Sequence, residues 1–198
     1  MNESLQRIIE KFDPITLQEM DGVKLLARMD AKFVFGIEAL PTVLEKMMPH
    51  YKLLDVNGLR LNRYETLYYD TDNFQLYTHH QNGILNRYKI RCRRYVDSNL
   101  CYFEIKVKNN RKKTIKERKK VKGMALELNG MAESLMKVVA PLLPSDFKPK
   151  LWVNCARMTF VDRQFLSRLT VDVSLAYKNE SSEISFPKLV IVELKQEK

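Results

Sequence analysis

The feature that most constrains this chain is the stretch Leu85 to Tyr95, which reads LNRYKIRCRRY. Successive side chains of a β-strand point to opposite faces, so a strand here would carry a ladder of cations on one face. That face holds Arg87, Lys89, Arg91 and Arg93. The other face holds Tyr88, Ile90, Cys92 and Arg94. The stretch therefore predicts a strand with one basic face and one mainly apolar face.

The basic face of this strand needs an anionic partner if it is to be covered. Neighbouring cations on it would lie about 6.7 Å apart, and each pair would repel by about 0.6 kcal/mol in water or roughly 2.5 kcal/mol at an effective dielectric near 20. The apolar side indicates packing against a core, which favours a basic face directed at a ligand. The alternative is a strand whose solvent-facing side is simply basic.

The overall charge also points to a polyanionic partner. The 198 residues carry a formal net charge of +10 and a pI near 9.5, with 45% hydrophobic and 29% charged residues, which is typical of one globular domain covering 1–198. Nucleic acid, phosphorylated small molecules, inorganic phosphate polymers and acidic membrane surfaces all fit this charge.

The cysteines and the absence of long apolar runs predict a cytoplasmic protein. Three widely spaced cysteines, Cys92, Cys101 and Cys155, indicate neither a disulfide framework nor a zinc motif, so we expect reduced thiols. No run reaches the 18 apolar residues of a membrane span, and the N-terminus lacks the apolar region of a signal peptide. We therefore expect no membrane span.

The same alternation of apolar and charged faces recurs along the chain. The predicted strands are 28–36, 51–56, 59–70, 85–95, 100–108, 112–121, 151–161, 166–175 and 188–195, with an Asn57-Gly58 turn joining the second and third. The predicted helices are in an N-terminal segment, 1–24, at 38–49, through 77–80 after a cap at 70–72, and at 124–140.

These faces predict an α+β fold. If the strands close, the apolar faces need covering helices outside, and the charged faces then line a wide interior. We therefore expect an antiparallel β-barrel that forms a cationic tunnel, with packing helices outside, in preference to a sandwich with a basic exterior.

Seven segments taken in order resemble a known family. They are RMDAKF, YETLYYDT, RYKIRCRRY, FEIKVK, CARMTF, RLTVD and VELK, and they span about residues 25 to 195. Together they resemble the VTC domain of polyphosphate polymerases, which belongs to the triphosphate tunnel metalloenzymes together with the CYTH-type triphosphatases. The resemblance implies a tunnel that binds triphosphate or polyphosphate and transfers the terminal phosphate of ATP onto a growing chain, with Mn²⁺ or Mg²⁺ as cofactor.

The resemblance also implies roles for particular residues. Its phosphate-handling cations match, as expected catalytic residues, Lys32, Arg91, Arg93, Lys106, Arg157 and Arg168. Further phosphate contacts are expected from Arg28, Lys89 and Arg118. The metal-binding glutamate of the terminal strand matches Glu193. Family members usually continue beyond this strand into a segment that supplies another basic residue, whereas this sequence stops at Lys198, so the resemblance supports an expectation of binding more strongly than one of turnover.

The chemistry of these residue types suits phosphoryl transfer. That reaction requires positioning and stabilisation of spread negative charge, which arginine, lysine and one metal ion provide. Glu193, phosphate oxygens and water would suffice for Mg²⁺ or Mn²⁺. Glu104 and Asp172 could each be a metal ligand or the counter-ion of a neighbouring cation. No glycine-rich phosphate loop is present, which excludes a P-loop kinase.

Three functions follow as hypotheses, of which a polyphosphate polymerase is the first. The second is a hydrolase of tripolyphosphate or nucleoside triphosphate, but tunnel triphosphatases usually carry Glu-x-Glu-x-Lys where this chain has Arg28-Met29-Asp30-Ala31-Lys32. The third is a module that binds polyphosphate, or RNA, without turning it over. Tyr88 and Tyr95 do not form a stacking platform on the central strand, so we expect ATP and polyphosphate as partners and no nucleic acid.

Overall fold

A computed structural model describes residues 3–20, 28–111, 113–139 and 142–197, without the side chains of Arg28 and Glu197. The helices are α1 (Glu3–Glu10), α2 (Leu17–Met20), α3 (Leu40–Met47), α4 (Gln75–Gln81) and α5 (Gly130–Val139). The strands are β1 (Pro14–Ile15), β2 (Arg28–Gly36), β3 (Tyr51–Leu54), β4 (Asn62–Asp70), β5 (Arg87–Tyr95), β6 (Leu100–Lys108), β7 (Thr114–Val121), β8 (Lys148–Asp162), β9 (Ser167–Lys178), β10 (Glu183–Phe186) and β11 (Leu189–Glu197). Short 3₁₀ turns occur at Ile37–Ala39, Val96–Ser98 and Pro144–Asp146.

The chain forms two compact units. The first unit comprises Met1–Arg63, Cys155–Leu175 and Ser185–Lys198, and the second comprises Tyr64–Asn154 and Ala176–Ile184.

In the first unit, β11 pairs with β2 on one side and β9 on the other, antiparallel to both. Strand β3 pairs antiparallel with β8 and parallel with β1. Helices α1 and α3 pack on the sheet through Leu5, Ile9, Leu40 and Leu44, which meet residues such as Phe160 in one buried core. The sheet therefore has one face covered by helices.

In the second unit, β4, β5, β6 and β7 pair in chain order as an antiparallel meander. Helices α4 and α5 bury the apolar face of this sheet. They contribute Leu76, Leu135 and Met136 to a core that includes Ile90 and Phe103. The face predicted to be basic is the opposite one.

Two turns hold the strands of the second unit in register. Asn99, after the 3₁₀ turn between β5 and β6, adopts a left-handed backbone with φ of 51°, which asparagine tolerates better than most residues. The Asn109 side chain accepts hydrogen bonds from the backbone N–H groups of Arg111 and Lys113 between β6 and β7. These contacts place Lys108 opposite Thr114 on the neighbouring strand.

The predicted α+β class with an antiparallel sheet is confirmed, whereas closure into a tunnel stays a prediction. The Asn57-Gly58 turn forms, with φ of 54° and 83°, but the two strands predicted on either side of it do not pair with each other as a hairpin. Only an isolated bridge between Val56 and Leu59 follows the turn, because β3 pairs instead with β1 and β8. Within the described ranges, no helix is long and apolar enough to cross a membrane.

Candidate functional site

The second unit carries a dense group of cations on the sheet face opposite its helices. The registers of β5, β6 and β7 place on this cationic face Arg87, Lys89, Arg91, Arg93, Lys106, Lys108, Lys116, Arg118 and Lys120. On these three strands, one carboxylate shares the face with them, that of Glu104. Such a surface favours a multiply charged anion.

Glu104 lies at the centre of the cationic face and is fully buried. Its Oε2 accepts a hydrogen bond from Arg91 Nε at 2.6 Å, and Arg91 Nη2 lies 2.5 Å from the same oxygen. Its Oε1 lies 2.5 Å from Lys116 Nζ. Burial raises the pKa of Glu104, but Arg91 and Lys116 lower it more, to about 2. The ionised carboxylate therefore holds two cations in place.

Lys106 lies beside Arg91, Lys116 and Glu104, and the negative charge of Glu104 does not balance the cations around it. Burial lowers the pKa of Lys106, and the nearby charges of Arg91 and Lys116 lower it further, to about 7, against a smaller opposing effect of Glu104. A bound anion would relieve this repulsion and favour the protonated amine.

Aromatic and hydroxyl side chains of β4 and β6 position the other cations. Arg93 Nε donates to Thr66 Oγ1 at 3.0 Å, and its guanidinium lies 5.4 Å from the ring centroid of Tyr64. Arg118 lies 4.8 Å from the Tyr102 ring. Lys89 Nζ lies 5.9 Å from the centroid of the Tyr68 ring.

Tyr68 belongs to the electrostatics of the same face. Burial raises the pKa of its hydroxyl, but the charge and hydrogen bond of Arg91, with Arg93 and Lys89, lower it overall. The phenol is therefore more acidic than usual and suited to accept from cations.

The first unit carries a smaller charged group centred on β11. Glu193 lies opposite Lys32 on β2 and opposite Thr170 on β9. Its Oε2 lies 2.8 Å from Lys195 Nζ. Burial raises the pKa of Glu193, but Lys195 first and then Lys32 and Arg157 lower it overall. Glu193 is thus an ionised carboxylate among cations.

Asp172 and Arg157 form a bidentate pair in the same unit. Arg157 Nε and Nη2 donate to the two carboxylate oxygens of Asp172 at 2.5 and 2.6 Å. Arg168 lies opposite Lys195, and its Nη2 donates to the backbone oxygen of Met20 at 3.3 Å. Asp172 thus pairs with Arg157, as Glu104 does with Arg91 and Lys116, and a metal-ligand role for either acidic residue stays a hypothesis.

The structure thus gathers the predicted residues in two groups. The second unit holds on one face Arg91, Arg93 and Lys106, with Lys89 and Arg118. The first unit holds on β2, β8, β9 and β11 the residues Lys32, Arg157, Arg168 and Glu193. The side chain of Arg28 lies outside the described residues. The catalytic roles assigned to these residues, and their convergence on one lumen, stay predictions.

Sequence reasoning missed the residues that orient the cations. Thr66 and Tyr68 lie opposite Arg93 and Arg91, and Tyr64 lies opposite Tyr95. No role was expected for Lys116, which lies in the predicted strand 112–121. The period of β4 carried a usable signal, since the face with Thr66 and Tyr68 is the one that does not hold the buried Leu67 and Tyr69.

The described residues offer few protein ligands for a metal ion. They contain no group of three or more histidine, cysteine, aspartate or glutamate side chains that could hold one. The predicted metal-binding role of Glu193 would therefore rest on a single carboxylate, which is compatible with a hard cation held mainly by phosphate oxygens and water.

Comparison with known proteins places this chain among tunnel folds. A family model described as the VTC domain matches residues 27–198. A Bacillus halodurans structure provisionally assigned as an adenylate cyclase has a TM-score of 0.55 and 13% identity, and the match covers 85% of this chain and 80% of that one. A Hippeastrum protein, provisionally an adenylyl cyclase and described as having a dominant triphosphatase activity, has a TM-score of 0.53, 12% identity, and coverage of 86% and 80%. No curated protein sequence matches significantly.

Proposed function

Since the chain belongs to the VTC domain family, we propose that it is a polyphosphate polymerase-like phosphotransferase that moves the terminal phosphate of ATP onto a polyphosphate chain. The observation that carries this proposal is the cationic face of the second unit, where Arg91 is held by the buried carboxylate of Glu104. A guanidinium fixed before the ligand arrives loses little entropy on binding phosphate.

The reaction conserves atoms without an external reagent. A terminal oxygen of the polyphosphate attacks the γ-phosphorus of ATP, and the bond from that phosphorus to the β,γ-bridging oxygen breaks. The electron pair leaves with ADP, and the polymer is longer by one phosphate. The transition state spreads negative charge over the transferred group, so fixed cations stabilise it more than the ground state.

The residues of the cationic face have separate roles in this proposal. Arg91 and Arg93 grip phosphate oxygens, Arg91 oriented by Glu104 and Arg93 by Thr66. The pKa of Lys106 is low in the free protein, so a bound anion would raise it and increase the protonated, positively charged fraction of the amine. Lys89 and Arg118 extend the surface along neighbouring strands.

In the first unit, Glu193 would hold a divalent cation, Mn²⁺ or Mg²⁺. The cation neutralises phosphate charge when bound. Lys32 and Arg157, whose charges help to lower the pKa of Glu193, would keep this carboxylate ionised at neutral pH.

An assay with ATP, polyphosphate primer and Mn²⁺ tests the proposal. We expect ADP together with lengthened polymer. Orthophosphate without polymer would instead identify a triphosphate hydrolase, and tight binding without either product would identify a non-catalytic polyphosphate-binding module.

A matched pair of variants ties activity to the cationic face. Arg91→Ala should remove most activity and weaken tripolyphosphate binding. Arg94→Ala is the control, because Arg94 lies three residues further along β5, points to the other face, and is paired with Glu65. Equal effects of the two substitutions would contradict a role for this face.

A further inference from the structure

The second unit contains a cavity beside the cationic face, to which the proposed phosphate chemistry assigns no ligand. Its volume is about 890 Å³, and it is lined by residues of β4, α4, β5, β8 and β9 and of the segments that follow β4 and β9. This volume is within the range of small-molecule sites. The lining is rich in aromatic rings, namely Tyr68, Phe74, Tyr77, Tyr88 and Tyr177.

Two of these rings, Phe74 and Tyr77, lie at the start of α4, which hydrogen bonds hold in place. Asp70 accepts hydrogen bonds from the backbone N–H groups of Leu76 and Tyr77 at 2.8 and 2.9 Å, which anchors the start of α4. Leu76 is buried in the core, whereas Phe74 and Tyr77 are 49% and 60% exposed. Large aromatic surfaces held open in this way suit a flat apolar ligand.

The cavity shares two lining residues with the cationic face. Tyr68 and Lys89 line the cavity, and both also belong to the network around Arg91. A ligand with a ring in the cavity and a charged tail could therefore place its tail at Lys89. Polar side chains of the lining, such as Asn73, Gln81 and Asn179, could pair with the edge of the ring.

A second aromatic group, at the other end of β5, is less suited to stacking with the ring of a ligand. The rings of Tyr64, Tyr95 and Tyr102 pack against one another with centroids 5.0 and 6.0 Å apart. Arg93 and Arg118 cover two of them. These half-buried rings pack against one another and leave less surface open than Phe74 and Tyr77 do.

We propose that the cavity binds the nucleobase of a nucleoside triphosphate whose phosphates lie on the cationic face. This rests on the proposed function and deepens it, because it assigns to the donor nucleotide a subsite that a purely inorganic polyphosphate would not occupy. Base stacking on Phe74 and Tyr77 supplies affinity for the nucleotide beyond that of its phosphates.

The chain provides a closely matched control residue. Phe74 has φ of 55° and its ring lies 5.5 Å from Lys150 Nζ. Phe165 has φ of 62°, is 39% exposed, and its ring lies 5.8 Å from Lys52 Nζ. Backbone strain and a lysine contact are thus common to both, and only Phe74 lines the cavity.

Calorimetric titration of the whole chain with ATP and with inorganic tripolyphosphate tests the proposal. Phe74→Ala and Tyr77→Ala should each weaken ATP binding roughly 5- to 100-fold, the range of base–aromatic stacking, and leave tripolyphosphate binding unchanged. Phe74→Trp should retain ATP affinity. Phe165→Ala should change neither ligand, and circular dichroism should show each variant folded.

The outcomes separate this proposal from the one on which it rests. Unchanged ATP binding in both alanine variants would overturn the nucleobase site and leave the cationic face intact, as would equal weakening of ATP and tripolyphosphate. If the wild-type chain binds ATP with no greater affinity than tripolyphosphate, and Phe74→Ala changes neither, the cavity has no role. Failure of the wild-type chain to bind tripolyphosphate would overturn both proposals.

Discussion

Glu104 and Arg91 lie opposite each other on β6 and β5, and the carboxylate of Glu104 is fully buried beneath a surface of cations. An ionised group in that position is stable only because Arg91 and Lys116 both contact it. The pair therefore places negative charge where cations would otherwise repel one another, and it fixes the direction of the Arg91 side chain.

Replacing Glu104 with glutamine should destabilise the protein strongly. The change leaves Arg91 buried without its counter-ion, which typically costs about 3–5 kcal/mol. Because the pKa of Glu104 falls from 4.5 to about 2 on folding, its contribution is complete above pH 4.5 and is lost as the pH falls towards 2. Urea denaturation at pH 7, 4 and 3 should show that the difference in unfolding free energy between wild type and the variant becomes smaller as the pH falls. Glu65→Gln, at the more exposed pair with Arg94, should cost less than about 1 kcal/mol, and an equal loss there would contradict the argument.

Replacing Lys106 with methionine should stabilise the free protein at neutral and lower pH. The pKa of Lys106 is about 7 when folded and 10.5 when unfolded, so the unfolded chain binds more protons between these values. Wild-type stability should therefore rise with pH across this window, by about 1.4 kcal/mol for each pKa unit, and the variant should lack that rise. Denaturation at pH 6, 8 and 10 measures it. Lys119→Met, on the opposite face of β7, should keep the wild-type slope.

Lys106→Met should also weaken tripolyphosphate binding most at low pH. The wild-type affinity should fall as the pH rises above 7, because Lys106 loses its proton, and the affinity of the variant should vary less. Titration calorimetry at pH 6 and 8 tests this. A variant with wild-type affinity at pH 6 would show that Lys106 does not face the ligand.

A double-mutant cycle at Arg157 and Asp172 should show strong coupling. Both side chains are largely buried and share two hydrogen bonds, so Arg157→Ala, Asp172→Ala and the double variant should give a coupling free energy of unfolding of about 0.5–3 kcal/mol. Chemical denaturation supplies the values. Additive effects would exclude Asp172 as the residue that holds Arg157.

Glu193→Gln should separate turnover from binding. The substitution removes one carboxylate and no cation, so tripolyphosphate affinity should be retained or increase while ADP release in the presence of Mn²⁺ is lost. Glu183→Gln is the control, because this exposed residue pairs with Lys178. Full activity of Glu193→Gln would remove Glu193 from the proposed reaction.

Tripolyphosphate should raise the midpoint of thermal unfolding at low ionic strength. Ligand binding to the native state stabilises it, and screening by salt should reduce the shift for contacts that are partly exposed. Differential scanning calorimetry at about 20 and 500 mM salt compares the two conditions. No shift at low salt would contradict a polyanion site.

In the second unit, local sequence patterns predicted where each strand lies and how it faces better than they predicted its partners on neighbouring strands. The alternation of β5 placed Arg91 and Arg93 on one face and Ile90 and Cys92 on the other, as the structure shows. The partners of these arginines, Glu104 and Thr66, lie 13 and 27 residues away, and a register between distant strands is not encoded in either strand alone. The period therefore identified the face but could not identify the network on it.

Helix ends were harder to predict than helix positions. The apolar period of 124–140 indicated a helix, but α5 begins at Gly130, whose φ is 55°. The residues before it have other contacts, since the Ala125 carbonyl accepts from the Tyr69 hydroxyl and Met124 contacts Cys101. Tertiary contacts thus replaced local propensity there. The N-cap predicted at 70–72 is wrong in position, because Phe74 is the N-cap of α4, although the Asp70 side chain accepts from the backbone N–H groups of Leu76 and Tyr77.

The strict alternation of β5 and β6 limits how the gene for such a sheet can change length. A codon inserted or lost inside β5 would reverse the facing of every residue on one side of the change, so that cations such as Arg91 would turn to the side packed by α4 and α5 and apolar residues such as Ile90 to the cationic face. Changes by two residues would keep each side chain on its own face. Descendants of this sequence should therefore vary in length in the turns at Asn99 and Asn109, and within the strands only by even steps.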